Sequence, residues 1–168
     1  MTTKAKEKAP VPRKRKPWRW LIVIIVLVLC GRILGDISSS MDSETGLTKN
    51  GQLRPCPSSP NAVCSEDPDA TRRVEPFPWK NDQDWTRSAI FSLLESWPRT
   101  TLVSEKNGYF HATTSTAIFG FVDDIEFRID KEAQVVQVRS ASRVGYSDFG
   151  TNAKRIAAMR QMWNSIEK

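Results

Sequence analysis

The chain of 168 residues has room for one ordinary domain and an appendage, and its net charge of +6 is gathered at one end. Residues 1–20 hold eight basic side chains (Lys4, Lys6, Lys8, Arg13, Lys14, Arg15, Lys16, Arg19) against Glu7, a local charge of +7 that leaves −1 for all the rest. A nearly neutral body has no general attraction for a phosphate backbone, so no nucleic-acid partner is expected.

The basic start has another explanation. "WRWLIVIIVLVLCGRILG" opens at Trp18, runs through ten consecutive apolar residues from Leu21 to Cys30, and continues to Leu34. A spanning helix needs roughly 20 apolar residues, with a range of about 17–25. Residues 18–35 reach that length if Arg32 snorkels toward the far interface, with Trp18 and Trp20 at the near one. No A-x-A-like cleavage site follows the run, and Leu29 in front of Cys30 does not suit a lipoprotein signal. The reading is an uncleaved single-span anchor in the cell membrane. Residues 1–17 form a basic cytoplasmic tail and the carboxy-terminal part lies on the outer, periplasmic-type side.

Residues 36–52 are rich in Ser, Thr, Asn, Asp and Gly without an apolar period and read as a flexible tether. Residues 53–80 are proline-rich but contain Cys56, Cys64, Phe77 and Trp79, which suits an extended segment lying on the domain. On an oxidising side, two cysteines this close among prolines are expected to close a small disulfide loop. Two thiols and one distant histidine, His111, do not make a zinc site, and neither metal nor cofactor is expected.

The rest of the 53–168 domain reads α-β-β-β-β-α. Trp85, Ala89, Phe91, Leu93, Leu94 and Trp97 fall near helical spacing, with Asn81 or Asp82 as cap and Pro98 as stop. Asn107-Gly108 between two β-prone runs predicts a tight hairpin. "FVDDIEFRID" and "QVVQVRSAS" predict two further strands around Lys131-Glu132, and Ile156, Met159, Trp163 and Ile166 make the stripe of a last helix. The expected fold is α+β: a four-stranded antiparallel sheet with two flanking helices, preceded by the transmembrane helix.

Pairing Asp130 with Ala133 sets Phe127 opposite Val136, Ile125 opposite Val138 and Asp123 opposite Ser140 on the inner face. On the outer face it sets Asp124 opposite Arg139 and Glu126 opposite Gln137. Asp124 and Arg139 are therefore read as a structural pair. The inner face turns polar at Asp123, Ser140 and Ser142, where "RVGYSDFGTNAKR" begins. Arg143 and Arg155 near the start of the last helix, with its free N–H groups, make an anion-receiving corner. Alternatively, Asp123 or Asp148 bonds those arginines and the loop is simply pinned. The candidate ligand-binding residues are Asp123, Ser140, Ser142, Arg143, Ser147, Asp148, Asn152 and Arg155. No catalytic residue is assigned, since Asp123 and Asp124 point to opposite faces and no nucleophile elbow or phosphate loop is present.

"CPSSPN" (56–61), "FGFVDDIEFRID" (119–130) and "VRSASRVGYSDFGTNAKRI" (138–156) resemble the uncharacterised bacterial and plastid family called domain of unknown function 1499, over about residues 53–163. That family often has cysteine directly after the asparagine of the first motif, where this chain has Ala62 and its second cysteine only at Cys64. The resemblance implies no established activity. It implies that Ser58, Pro60, Asn61, Asp123, Asp124, Glu126, Arg139, Ser140, Ser142, Arg143, Gly145, Ser147, Asp148, Gly150, Asn152 and Arg155 form a signature surface or pocket.

The resulting expectation is a membrane-anchored outer module that binds an anionic or polar small molecule or a lipid head group, or supports an envelope assembly. The alternatives are an envelope hydrolase using Asp123 or Asp148 and a purely structural domain for protein partners the sequence does not name.

Overall fold

An unbroken apolar run with no competing cap forms one long helix, α1, from Trp18 to Ser40. The computed structural model describes residues 18–41, 44–80 and 82–166; the expected basic tail lies outside the described residues. α1 is long and apolar enough to cross a membrane, and apart from Gly31, Gly35 and Ser38 its residues are exposed. Residues 36–40, read from composition as tether, are its last turn.

Beyond α1 the elements are β1 (Ala62–Cys64), β2 (Phe77–Pro78), α2 (Gln83–Ser96), β3 (Thr100–Lys106), β4 (Tyr109–Ser115), β5 (Val122–Asp130), β6 (Val135–Ser142) and α3 (Thr151–Ser165). The Asp82 side chain caps α2 by accepting from the Trp85 N–H at 2.7 Å. Asn107 and Gly108 take φ of 54° and 81°, the left-handed pair that a two-residue hairpin turn requires between β3 and β4.

The sheet is antiparallel and has six strands, not the expected four, in the order β1-β6-β5-β4-β3, with β2 also on the edge of β6. β1 pairs with residues 139–141 and β2 with residues 135–136. Both come from the proline-rich segment, where pieces of three and two residues carry no alternation to read. Pro78 in β2 stands at a sheet edge, where a residue without an N–H is tolerated.

The β5–β6 register also corrects the expectation, by two residues. Asp130 opposes Val135, so the turn is the four residues 131–134, with the Asp130 carboxylate accepting from Ala133 N–H at 3.1 Å and Gln134 at φ 52°. A two-residue shift keeps every side chain on its face but changes its partner. Glu126, not Asp124, now opposes Arg139, and Asp123 opposes Ser142.

The inner face carries Phe110, Ala112, Ile125, Phe127, Ile129, Val136 and Val138, packed with Phe77 under Ile90 and Leu93 of α2 and Met159 and Trp163 of α3. The outer face is also buried. Segment 44–73 lies over it, with Leu53, Cys56, Ala62 and Cys64 clustered on Ala141.

Cys56 and Cys64 are free, which overturns the expected disulfide. β1 pairing fixes Cys64 opposite Arg139, where its sulfur accepts from the Glu66 N–H at 3.4 Å, while the Cys56 backbone N–H is held by Asp67. Burial pushes the Cys64 thiol up to about 11. Burial, then a hydrogen bond to Asp67, holds Cys56 still higher. Neither thiol is reactive in the folded state. In the absence of reductant, both should resist iodoacetamide in native protein and both should be alkylated after unfolding, as read by intact mass. Failure of either to label in denaturant contradicts this arrangement.

Candidate functional site

Residues 139–155 run off the end of β6, cross the open end of the sheet and enter α3. Their first constraint is Arg155, which is 8 % exposed and needs partners inside the domain. It ion-pairs with Asp123 on β5 and donates to Ser140 Oγ on β6 at 2.9 Å and to the Asn152 side-chain oxygen. Ser140 and Asn152 are fully buried. Ser140 donates to Asn152 Oδ1 at 2.6 Å, and the Asn152 amide donates to the Asn61 carbonyl at 2.8 Å and to Ser142 Oγ at 3.0 Å. The Asn61 amide in turn donates to the Gly145 carbonyl at 2.8 Å. Asp123, Ser140, Ser142, Asn152 and Arg155 are thus one connected group.

Asp148 does not pair with an arginine. Its carboxylate accepts from the Gly150 N–H at 2.9 Å and the Asn152 N–H at 2.7 Å, and its carbonyl accepts from Thr151. The chain's own aspartate therefore takes the positive end of α3, where the sequence suggested an incoming anion. Ser147 accepts from the Phe149 N–H at 3.2 Å and shapes the turn.

Arg143 lies apart from the others, on the outer face. It forks onto Asp124 with Nε and Nη2 at 3.0 and 2.9 Å and donates to the carbonyls of Ser39 and Met41 at 3.2 Å each. His111 Nε2 stands 2.7 Å from Asp124 Oδ1. Burial alone would raise the Asp124 carboxyl, but the bonds from His111 and Arg143 outweigh it and hold the group below the usual carboxylate range. Arg139 pairs with Glu126 at 2.6 Å, which replaces the expected Asp124–Arg139 brace. The Tyr109 hydroxyl donates to the same Glu126 at 2.7 Å. Asp123 and Asp124 face opposite sides of the sheet, so they do not form a paired-carboxylate centre.

Besides a cleft of about 420 Å³ beside Arg99, Thr114, Lys154 and Arg155, two cavities adjoin these groups. One of about 300 Å³ lies on the outer face beside Asn61, Asp124, Arg139 and Arg143. The larger, about 620 Å³, lies between α1 and the 139–155 loop. Its walls include Leu34 and Ile37 of α1 with Phe119, Phe121, Val144 and Phe149, and its polar lining is Thr116, Asp123, Ser142, Ser147, Asp148 and Thr151. Four of the eight candidate residues therefore share one cavity with the apolar helix. The sequence carried no signal that Leu34 and Ile37 belong to it, because Leu34 reads as part of a lipid-facing span and Ile37 as part of the tether. The aromatics of "FGF" (119–121) and "DFG" (148–150) were the available hint. Among the described residues no group of His, Cys, Asp and Glu is placed to hold a metal ion.

Residues 52–162 match the family described as a protein of unknown function, DUF1499, and the chain belongs to that family. No curated protein matches it.

The Asp123–Arg155 pair sets up a direct test of what holds this end of the domain. Asp123→Leu and Arg155→Met should each destabilise by about 3–5 kcal/mol, since each strands the other charge, and the double variant should recover part of that loss. Urea melts of the four proteins measure the coupling. Purely additive losses would show that the pair is not the pin.

Proposed function

We propose that this chain is a single-span membrane protein whose outer-side domain binds an amphiphile, a membrane lipid, in the cavity between α1 and the 139–155 loop. One observation carries the reading: about 620 Å³ of space bounded by the apolar residues Leu34, Ile37, Phe119, Phe121, Val144 and Phe149 and by a polar group of Asp123, Ser142, Ser147 and Asp148. Cavities of roughly 300–1,000 Å³ with apolar walls and a few convergent polar groups are the usual form of small-molecule sites. The two-sided lining suits a molecule with an acyl tail and a polar head.

The head group favoured by these residues is one that donates hydrogen bonds, hydroxylated or ammonium-bearing. Two carboxylates line the cavity and no basic side chain does, while Arg155 is committed to Asp123. Ionised carboxylates accept only, and each retains lone pairs after one or two bonds. The same commitments count against hydrolysis, because Asp148 is engaged as a helix cap and Asp123 as an ion partner.

Purified full-length protein should release about one lipid per chain in mass spectrometry. Val144→Trp, which fills the cavity, should abolish that lipid while leaving the melting temperature close to the parent's. A parent free of lipid, or a folded variant with undiminished lipid, would defeat the proposal.

The +7 charge of residues 1–20 ahead of the span supports placing the domain on the outer side. A carboxy-terminal reporter that works only outside the cytoplasm should be active. Activity of a cytoplasm-only reporter in its place would reverse the orientation.

A further inference from the structure

We infer that the loop joining β4 to β5, residues 116–121, is seated in the hydrocarbon of the leaflet facing the domain, so that the domain rests in the bilayer surface. The inference rests on α1 spanning the membrane, and goes beyond that in stating what the domain itself touches.

Depth comes first. At 1.5 Å per residue the twenty residues from Trp18 to Ile37 extend about 30 Å, the thickness of a hydrocarbon core. With the tryptophans at one interface, the opposite boundary falls near Ile37. Gly31 is six residues earlier, about 9 Å inside that boundary. The 116–121 loop meets α1 at this level: a side chain added to Gly31 would collide with the Phe119 ring, and one added to Gly35 with the Phe119 carbonyl. Arg32 points the same way, with Nη1 3.5 Å from the Ile118 carbonyl and close beside Gly120. A loop in contact with the helix at Gly31 shares that depth.

The surface of the loop fits the location. Ile118 is 62 % exposed, with no protein cover to explain an isoleucine at the tip. Phe149 is 88 % exposed and lines the same cavity as Leu34 and Ile37, which puts a second uncovered ring beside the helix near the boundary.

The backbone fits in part, with three of the six N–H groups of residues 116–121 met by protein and those of Ala117, Ile118 and Phe119 without a partner among the described residues. Irregular chain at membrane depth is tolerated only where its polar groups are met by protein. Thr116 N–H donates to the Phe121 carbonyl at 2.9 Å, Gly120 N–H to the Thr116 carbonyl at 3.2 Å, and Phe121 N–H to Thr116 Oγ1 at 3.0 Å. The loop closes on itself, and Arg32, a cation costly at this depth, lies against its Ile118 carbonyl.

The test uses the full chain in phosphatidylcholine vesicles with Cys30→Ser, so that only an introduced thiol is exposed. Ile118→Cys, Leu27→Cys as a reference within the span and Lys131→Cys as a reference at a hairpin tip each carry an environment-sensitive fluorophore. The expected result is that the dye at 118 matches the dye at 27: several-fold less quenching by aqueous iodide than at 131, with strong quenching by nitroxide-bearing lipid. A dye at 118 that iodide reaches as at 131, with the dye at 27 still shielded, overturns the seating and leaves the anchor intact. Shielding at 118 without quenching by nitroxide lipid means cover by protein and also overturns it. Iodide access at 27 overturns the anchor itself and the seating with it.

Discussion

A guanidinium without water needs a carboxylate and further acceptors, and Arg155 of α3 obtains them from three directions. Meeting that need places α3 over β5 and β6, since Asp123 and Ser140 stand on those strands. It also orients the buried Asn152 amide, whose remaining donors reach Asn61 and Ser142. Through Asn61 the arrangement draws in the proline-rich segment and, by the bond to Gly145, the middle of the loop. Five stretches of chain meet around one buried charge. In a low-dielectric interior such a network stands or falls together, which makes the polar wall of the larger cavity a fixed surface.

The outer face buries more charges and pairs them, although the Nε of Arg139 is left without a hydrogen-bond partner among the described residues. Segment 44–73 covers this face, so Asp124, Glu126 and Arg139, a surface ladder by composition, are nearly inaccessible. Asp124 is met by His111 and Arg143, Glu126 by Tyr109 and Arg139, and Arg128 by Glu66 and Asp130. Burial and then the neighbouring Glu126 push the Tyr109 phenol above its ordinary range, so it remains a neutral donor. Arg143 extends this layer to α1 by bonding the carbonyls of Ser39 and Met41, where a cation also suits the negative end of a helix. Arg143 therefore joins the sheet to the helix.

Much of this was legible in the residues. Helical spacing located α2 and α3, Asn107-Gly108 located the first hairpin, and period-two alternation sorted β5 and β6 onto the right faces. The β5–β6 partners were misread because Lys131-Glu132 looks like a two-residue turn. Gln134 in a left-handed conformation makes it four, and glutamine carries no mark of that conformation. β1 and β2 were illegible for a different reason: strands this short are held by the edge they join, not by their own pattern. The free cysteines were misread because closeness in sequence says nothing about direction once β1 fixes one of them. The candidate loop was found by its unusual composition, yet the assignment of its charges needed the fold. Only the fold shows that Asp148 faces a helix start while Asp123 faces Arg155.

The helix α1 shows why the domain does not simply hang from a leash. A helix whose only neighbour is lipid has no use for glycines on one stripe, and each weakens it by about 1 kcal/mol relative to alanine. Gly31, Gly35 and Ser38 are spaced at four and three residues, which places them on one face. They are the three buried residues of α1, so that stripe is the one that meets the domain. Small residues there allow the backbone of the 116–121 loop to approach the helix closely, as they do between helices in a bilayer. Ser38 completes the contact by accepting from the Val122 N–H at 3.1 Å, at the first residue of β5. Helix, loop and strand are thereby joined without an intervening hinge. With α1 in the bilayer, this joint sets the orientation of the sheet and holds the larger cavity beside Leu34 and Ile37. A lipid would reach it from the leaflet edge without crossing water, and the tail could keep its apolar surroundings throughout.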